Sequence, residues 1–121
     1  MKILFASSEV YPLIKTGGLA DVSGSLPRAI RNLRHDIRLV LPAYRGVLAK
    51  AGKVKVVATL ALEGAPEVRI VQGRLPGSTV TLYLVDSPAH FDREGGPYSA
   101  PNGGDWPDND QRFALFARAI C

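Results

Sequence analysis

Apolar residues follow two different periods in the first third of the chain. A short apolar run at residues 2–6 ends at two serines and predicts a buried β-strand. From Leu19 onwards the apolar positions recur at helical spacing, which predicts a helix with one apolar face against the core and a bend at Pro27. The residues expected on that face are Leu19, Val22, Leu26, Ala29, Ile30 and Leu33. Residues 37–41 predict a second strand, so the unit is βαβ with parallel strands.

The middle of the chain has the composition of strands. Residues 54–62, 66–75 and 79–85 are rich in β-branched side chains and are separated by turns that contain glycine or proline. We expect antiparallel hairpins inserted after the second parallel strand, with the last strand returning to the sheet. The predicted fold class is therefore α/β, a Rossmann-like parallel sheet with inserted antiparallel hairpins.

The last quarter combines a long loop with a helix. Residues 93–107 are rich in glycine and proline, and loops of this length are usually functional or disordered. Residues 108–120 have near-helical apolar spacing, with Asp108 or Asp110 suited to the first turn. The chain ends in this helix with an unfinished sheet, so we expect it to be the front of a larger protein.

Composition narrows the class of protein. The chain of 121 residues carries a net charge of +4 and one cysteine, Cys121, which excludes a disulfide framework and a cysteine metal site. Apolar runs fall short of the ~18 residues of a membrane span, so we predict a cytoplasmic protein without a membrane partner. Basic residues concentrate between Arg28 and Lys55. A solvated face is favoured over a nucleic-acid partner, whose affinity would fall steeply with salt.

Candidate chemistry lies between the first strand and the first helix. Lys15 precedes the pair Gly17 and Gly18, and a strand, a glycine turn and a helix N-terminus together suit an anion. A lysine ammonium ~4 Å from a phosphate contributes roughly 4 kcal/mol before desolvation, whereas an exposed helix dipole contributes only ~0.3–1 kcal/mol. The spacing fits neither the P-loop nor the dinucleotide fingerprint. The alternative is that the glycines only make a tight turn and Lys15 is solvated.

Four segments resemble one family, the bacterial glycogen synthases and plant starch synthases. The hallmark Lys-x-Gly-Gly-Leu begins at Lys15, within a similar stretch that spans residues 1–30. The likeness continues at Arg38–Tyr44, Val85–Tyr98 and Asp108–Leu115. The resemblance implies a retaining glycosyltransferase of the two-domain GT-B type, which moves glucose from ADP-glucose to the non-reducing end of an α-1,4-glucan such as glycogen. Residues 1–121 would then be the N-terminal part of its N-terminal, starch synthase catalytic domain, without the second nucleotide-binding domain.

The resemblance also implies roles for individual residues. Lys15 would reach the phosphates of ADP-glucose, and Gly17 and Gly18 would bring backbone N–H groups to the same donor. Asp21 would bind sugar hydroxyls of the acceptor, the alternative being a carboxylate stabilised by the helix dipole. Tyr98 would lie near the donor, the alternative being a loop anchor. No catalytic residue, metal ligand or cofactor is expected within these residues, and the chain alone is expected to be inactive.

Other polar residues are expected to be structural. Glu9 follows the first strand, and a hydrogen bond that orients the loop is favoured over chemistry. His35 and His90 lack metal-ligand spacing. Arg34 stands where the family usually has glycine, so we expect it to adopt a left-handed helix cap. A non-catalytic module that binds nucleotide or glucan is the alternative function.

Overall fold

A computed structural model describes residues 1–121 and contains five strands and four helices. In chain order they are β1 (Lys2–Ala6), α1 (Gly18–Asn32), β2 (Asp36–Pro42), α2 (Val47–Ala51), β3 (Lys55–Leu62), β4 (Ala65–Arg74), β5 (Thr81–Asp86), α3 (Pro88–Phe91) and α4 (Asn109–Ile120). The short helices α2 and α3 are absent from the sequence prediction. None of the helices is both long and apolar enough to cross a membrane.

All five strands belong to one sheet in the order β1-β2-β5-β4-β3. β1, β2 and β5 are parallel, whereas β4 is antiparallel to both β5 and β3. The predicted βαβ unit, the inserted hairpins and the returning last strand are confirmed. Because β1 and β2 run in the same direction, the loops after Ala6 and Pro42 leave the same edge of the sheet, where α/β folds bind ligands.

One face of the sheet forms the main core. Phe5, Leu39 and Leu82 are register neighbours across β1, β2 and β5, and Leu39 and Leu82 are fully buried. β1 lies at the end of the sheet, so its burial is lower than predicted, and Leu4 on the opposite face is 52% exposed. None of the five residues of β1 is buried, so the prediction of a buried first strand is wrong; β1 pairs with β2 alone and forms the edge of the sheet.

The predicted apolar face of α1 is also wrong. Leu19, Val22, Leu26 and Leu33 are all exposed, and the buried residues are the smaller Ala20, Ser23, Gly24 and Pro27. The helix approaches the preceding loop closely, since a Cβ added at Gly24 would lie 2.5 Å from the carbonyl oxygen of Tyr11. Small side chains allow this approach, so burial here follows size and not hydrophobicity.

Arg34 ends α1 as the sequence predicts. It has a φ of 68° and is the one residue other than glycine with a positive φ. Its backbone N–H donates to the carbonyl of Arg31 at 2.9 Å, which closes the last turn before β2 begins. The left-handed cap is thus formed without the glycine that adopts this conformation at least cost.

Candidate functional site

A buried carboxylate organises the loop between β1 and α1. Glu9 is 2% exposed, and its Oε1 accepts the backbone N–H groups of Thr16 at 3.2 Å and Gly17 at 3.1 Å. Its Oε2 accepts the hydroxyls of Thr16 at 2.6 Å and Tyr98 at 2.7 Å. The predicted loop-orienting role of Glu9 is confirmed, with four donors in place of one hydrogen bond.

These donors keep Glu9 ionised. Burial on its own raises the pKa of the carboxyl, but the hydrogen bonds from Thr16, Tyr98 and Gly17 outweigh it and lower the pKa from its usual 4.5 to about 2. Glu9 is therefore an anion at every physiological pH. It serves as a fixed acceptor for the loop rather than as a proton donor or base.

Tyr98 connects this loop to the distant segment after α3. Besides donating to Glu9, its hydroxyl lies 2.6 Å from the hydroxyl of Ser8, and its ring packs at 5.8 Å from that of Phe113. Burial and the adjacent Glu9 raise the pKa of Tyr98, while the hydrogen bond to Ser8 lowers it. These contacts are those of a loop anchor, which is the alternative role that the sequence left open for Tyr98. Contact of Tyr98 with a donor stays a prediction.

Lys15 and Asp21 lie together and pair with each other. The Lys15 ammonium is 2.9 Å from Oδ1 and 2.7 Å from Oδ2 of Asp21, and about half of each side chain is exposed. Exposed pairs of this kind contribute roughly 0–1 kcal/mol, so a ligand phosphate can compete for the lysine. The residues predicted for donor and acceptor thus share one surface at the start of α1.

The two glycines leave open space at the N-terminus of α1. Gly17 is the N-cap with an extended backbone, φ −160° and ψ −159°, and no side chain caps the helix. A Cβ added at Gly17 or Gly18 would meet nothing within 4 Å. Neither backbone strain nor a protein neighbour therefore requires glycine here. The missing side chains leave the first-turn N–H groups, which lack intrahelical partners, accessible from outside. The N–H of Gly17 itself is occupied by Glu9.

Arg112 anchors the glycine-rich segment and was not identified from the sequence. It is 1% exposed and donates to the carbonyls of His90 at 2.6 Å and Pro97 at 2.9 Å, and to Asn109 Oδ1 at 2.8 Å. The available signal was its position on the buried face of α4, three and four residues before Leu115 and Phe116. An arginine on an apolar helix face indicates a cation whose donors are satisfied internally.

A second arginine closes the same segment. The two terminal nitrogens of the Arg93 guanidinium, Nη1 and Nη2, each donate to an oxygen of Asp108 at 2.7 Å. The guanidinium carbon lies 5.0 Å from the centroid of the Trp106 ring. Asp108 precedes α4 as predicted, but its carboxylate binds Arg93 and makes no cap hydrogen bond. The adjacent Arg93 lowers the pKa of Asp108. Residues 93–107 are therefore an ordered loop that holds Tyr98 against Glu9.

The histidines and serines have the contacts of structural residues. His90 Nδ1 lies 2.8 Å from the hydroxyl of Ser87, and burial lowers the pKa of His90. His35 lies at the far end of α1, 3.4 Å from the N-terminal amine. Ser7 shares a hydrogen bond of 2.8 Å with Ser23. The structure brings Glu9, Lys15, Asp21 and Tyr98 together, whereas the histidines lie elsewhere.

Fold and site together define an α/β domain in which a lysine–aspartate pair and a glycine turn lie at the carboxyl edge of the parallel strands. The family model described as starch synthase catalytic domain matches residues 2–121, so the chain belongs to that family of glycosyltransferases. A glycogen synthase of Thioalkalivibrio sulfidiphilus is 62% identical over 122 residues, covering 99% of this chain and 25% of the relative. Glycogen synthase 1 of Methylococcus capsulatus is 53% identical over 118 residues, covering 98% of this chain and 24% of the relative.

A solved structure has the same fold. The catalytic domain of starch synthase IV from Arabidopsis thaliana, bound to ADP and acarbose, superposes with a TM-score of 0.74 at 22% identity. The match covers 98% of this chain and 24% of that chain. The chain thus spans about a quarter of the length of the relatives that it matches, and its fold corresponds to part of a GT-B glycosyltransferase domain.

Proposed function

We propose that residues 1–121 supply the donor-binding loop of a retaining glucan synthase that transfers glucose from ADP-glucose to the non-reducing end of an α-1,4-glucan, in the cytoplasm. In this proposal they are the N-terminal part of the first domain of a two-domain GT-B enzyme. The second domain would contribute most donor contacts and the catalytic residues. We therefore expect the 121-residue chain alone to show no turnover.

The observation that carries the proposal is the open start of α1, where an exposed lysine lies beside two glycines. Lys15 is half-exposed, and a Cβ added at Gly17 or Gly18 would meet nothing within 4 Å. A diphosphate fits this arrangement, because it can accept from the lysine and from first-turn N–H groups at once. The departing ADP gains negative charge in the transition state, where a fixed cation stabilises it most. The related starch synthase IV, which is bound to ADP and acarbose, supports the choice of ligands.

Donor binding would then exchange the partner of Lys15. The exposed pair with Asp21 contributes roughly 0–1 kcal/mol net, so a diphosphate, which carries more negative charge than one carboxylate, can displace it. Asp21 is released in the same step and becomes available to sugar hydroxyls. Lys15 therefore governs use of the donor, and Asp21 governs transfer to the acceptor.

A chimera tests the proposal. Residues 1–121 replace the corresponding segment of the Thioalkalivibrio sulfidiphilus glycogen synthase, and glucose incorporation from ADP-glucose into glycogen is measured. We expect activity in the chimera and a loss of about 100-fold in kcat/KM for ADP-glucose with Lys15→Gln. Lys55→Gln, on the exposed strand β3, is the matched control and should retain activity. Asp21→Ala should lower transfer to glucan more than it changes the KM for ADP-glucose.

Two results would contradict the proposal. An inactive chimera would overturn the enzyme assignment, and if the free chain nevertheless bound ADP-glucose or maltooligosaccharide, the non-catalytic binding module would be favoured. Unchanged donor kinetics in the Lys15→Gln chimera would overturn the role of Lys15 while leaving the family assignment in place.

A further inference from the structure

We propose that Glu9 is a positioning residue for the nucleotide-sugar donor, because its carboxylate fixes both Lys15 and the N-terminus of α1. The inference rests on the proposed function. It goes beyond the loop contact, since the Glu9 carboxylate would contribute to the affinity for the negatively charged donor without contacting that donor.

Glu9 holds the two residues that lie between Lys15 and the first residue of α1. Thr16 directly follows Lys15, and its N–H and hydroxyl both donate to Glu9. Gly17 directly precedes Gly18, the first residue of α1, and its N–H donates to Glu9 as well. A shift of this carboxylate therefore moves the lysine backbone and the first-turn amides together.

The negative charge of Glu9 is stabilised by hydrogen-bond donors of the protein, which offset its repulsion of a neighbouring phosphate. All four donors of the carboxylate come from the loop itself and from Tyr98. Charge-assisted hydrogen bonds are about twice as strong as neutral ones, so an anion holds the loop more firmly than an amide would. The donor surface is thereby preorganised before the ligand arrives, which spares the ligand the cost of ordering the loop.

Glu9→Gln separates charge from shape. The side chain keeps its size, but its NH₂ group replaces one of the two acceptor oxygens, each of which receives two donors. In the chimera we expect kcat/KM for ADP-glucose to fall about tenfold, with the KM for glycogen unchanged. Glu9→Asp, whose carboxylate is one methylene short of the donors, should not restore the rate.

The decisive measurement is a double-mutant cycle with Lys15. Because Glu9 positions both Lys15 and the first-turn amides, the double variant Glu9→Gln, Lys15→Gln should lose less than the sum of the two single losses. Ser78→Ala is the matched control, because it removes a part-buried hydrogen bond, from the N–H of Val80, that involves no residue of the Glu9 loop. It should lower stability without changing donor kinetics. A purely structural Glu9 would instead give additive losses in the cycle and would also raise the KM for glycogen.

Hydrogen exchange distinguishes this inference from the proposed function. Glu9→Gln should speed amide exchange at Thr16 and Gly17, whether or not the chimera is active. Unchanged exchange, additive losses or unchanged donor kinetics would each overturn the positioning role. An inactive chimera without substitutions would instead overturn the proposed function, and with it the donor as the ligand that Glu9 serves.

Discussion

Replacing Arg34 with glycine should stabilise the chain. Arg34 has a φ of 68° at the end of α1, a conformation that side chains with a Cβ adopt at a cost. Its N–H bond to the carbonyl of Arg31 is a backbone contact, so glycine keeps it. The change therefore removes strain without removing the cap.

The size of the effect follows from two opposing contributions. The left-handed conformation costs an L-residue roughly 1–2 kcal/mol. Glycine loses more conformational entropy on folding, which costs roughly 0.5–1 kcal/mol. The net gain should be about 0.5–1 kcal/mol, equivalent to a rise in Tm of roughly 3 °C for a chain of this size.

Urea unfolding measures this difference directly. Trp106 is the single tryptophan and lies against Arg93, so its fluorescence reports the packing of the ordered loop, while far-ultraviolet circular dichroism follows the whole chain. Arg34→Ala is the control, because it removes the guanidinium but retains a Cβ at positive φ. Arg34→Gly should exceed both the parent and Arg34→Ala in free energy of unfolding. Equal values for the two variants would refute the strain explanation and assign any gain to the lost charge.

Two further predictions concern the loop that bears the site. Gly24→Ala should lower the free energy of unfolding by about 1–3 kcal/mol, because the new Cβ would lie 2.5 Å from the Tyr11 carbonyl oxygen. Gly18→Ala, which meets nothing within 4 Å, should not lose stability in the same urea assay, and equal losses would contradict the close packing of α1. The depressed pKa of Glu9 should contribute about 3 kcal/mol that is fully present above its usual pKa of 4.5 and is lost as pH falls towards about 2. Urea unfolding at several pH values should show a steeper slope between pH 5 and 2 for the parent than for Glu9→Gln, which retains the contribution of Asp108, and parallel slopes would contradict the hydrogen-bonded anion.

The strands were predictable from the sequence because their signals are local. Runs of β-branched residues and the turns between them locate β3, β4 and β5 to within two residues. The buried face of α1 was not predictable by the same means. Large apolar side chains dominate the helical periodicity, whereas the contact with Tyr11 selects Gly24 and other small residues, and nothing in the spacing shows that contact.

The site was predictable in part for a related reason. Lys15, the glycines and Asp21 are neighbours along the chain, so their proximity follows from the loop and the first turn of α1. The contact between Glu9 and Tyr98 joins residues 89 positions apart and depends on how Arg112 and Arg93 fold the intervening loop. Sequence reasoning could place Glu9 at the sheet edge, but it could not identify Tyr98 as one of its four donors.

That long separation has a consequence for synthesis on the ribosome. Glu9 meets Thr16 and Gly17 only seven and eight residues later, whereas Tyr98 follows 89 residues behind it. At ~5–20 residues per second, the tyrosine emerges roughly 4–18 s after the carboxylate that it completes. The nascent loop therefore passes through a form in which Glu9 is bonded only to Thr16 and Gly17 of its own loop. The arrival of the last quarter of the chain adds the Tyr98 hydroxyl as the fourth donor to Glu9 and completes the packing of the loop.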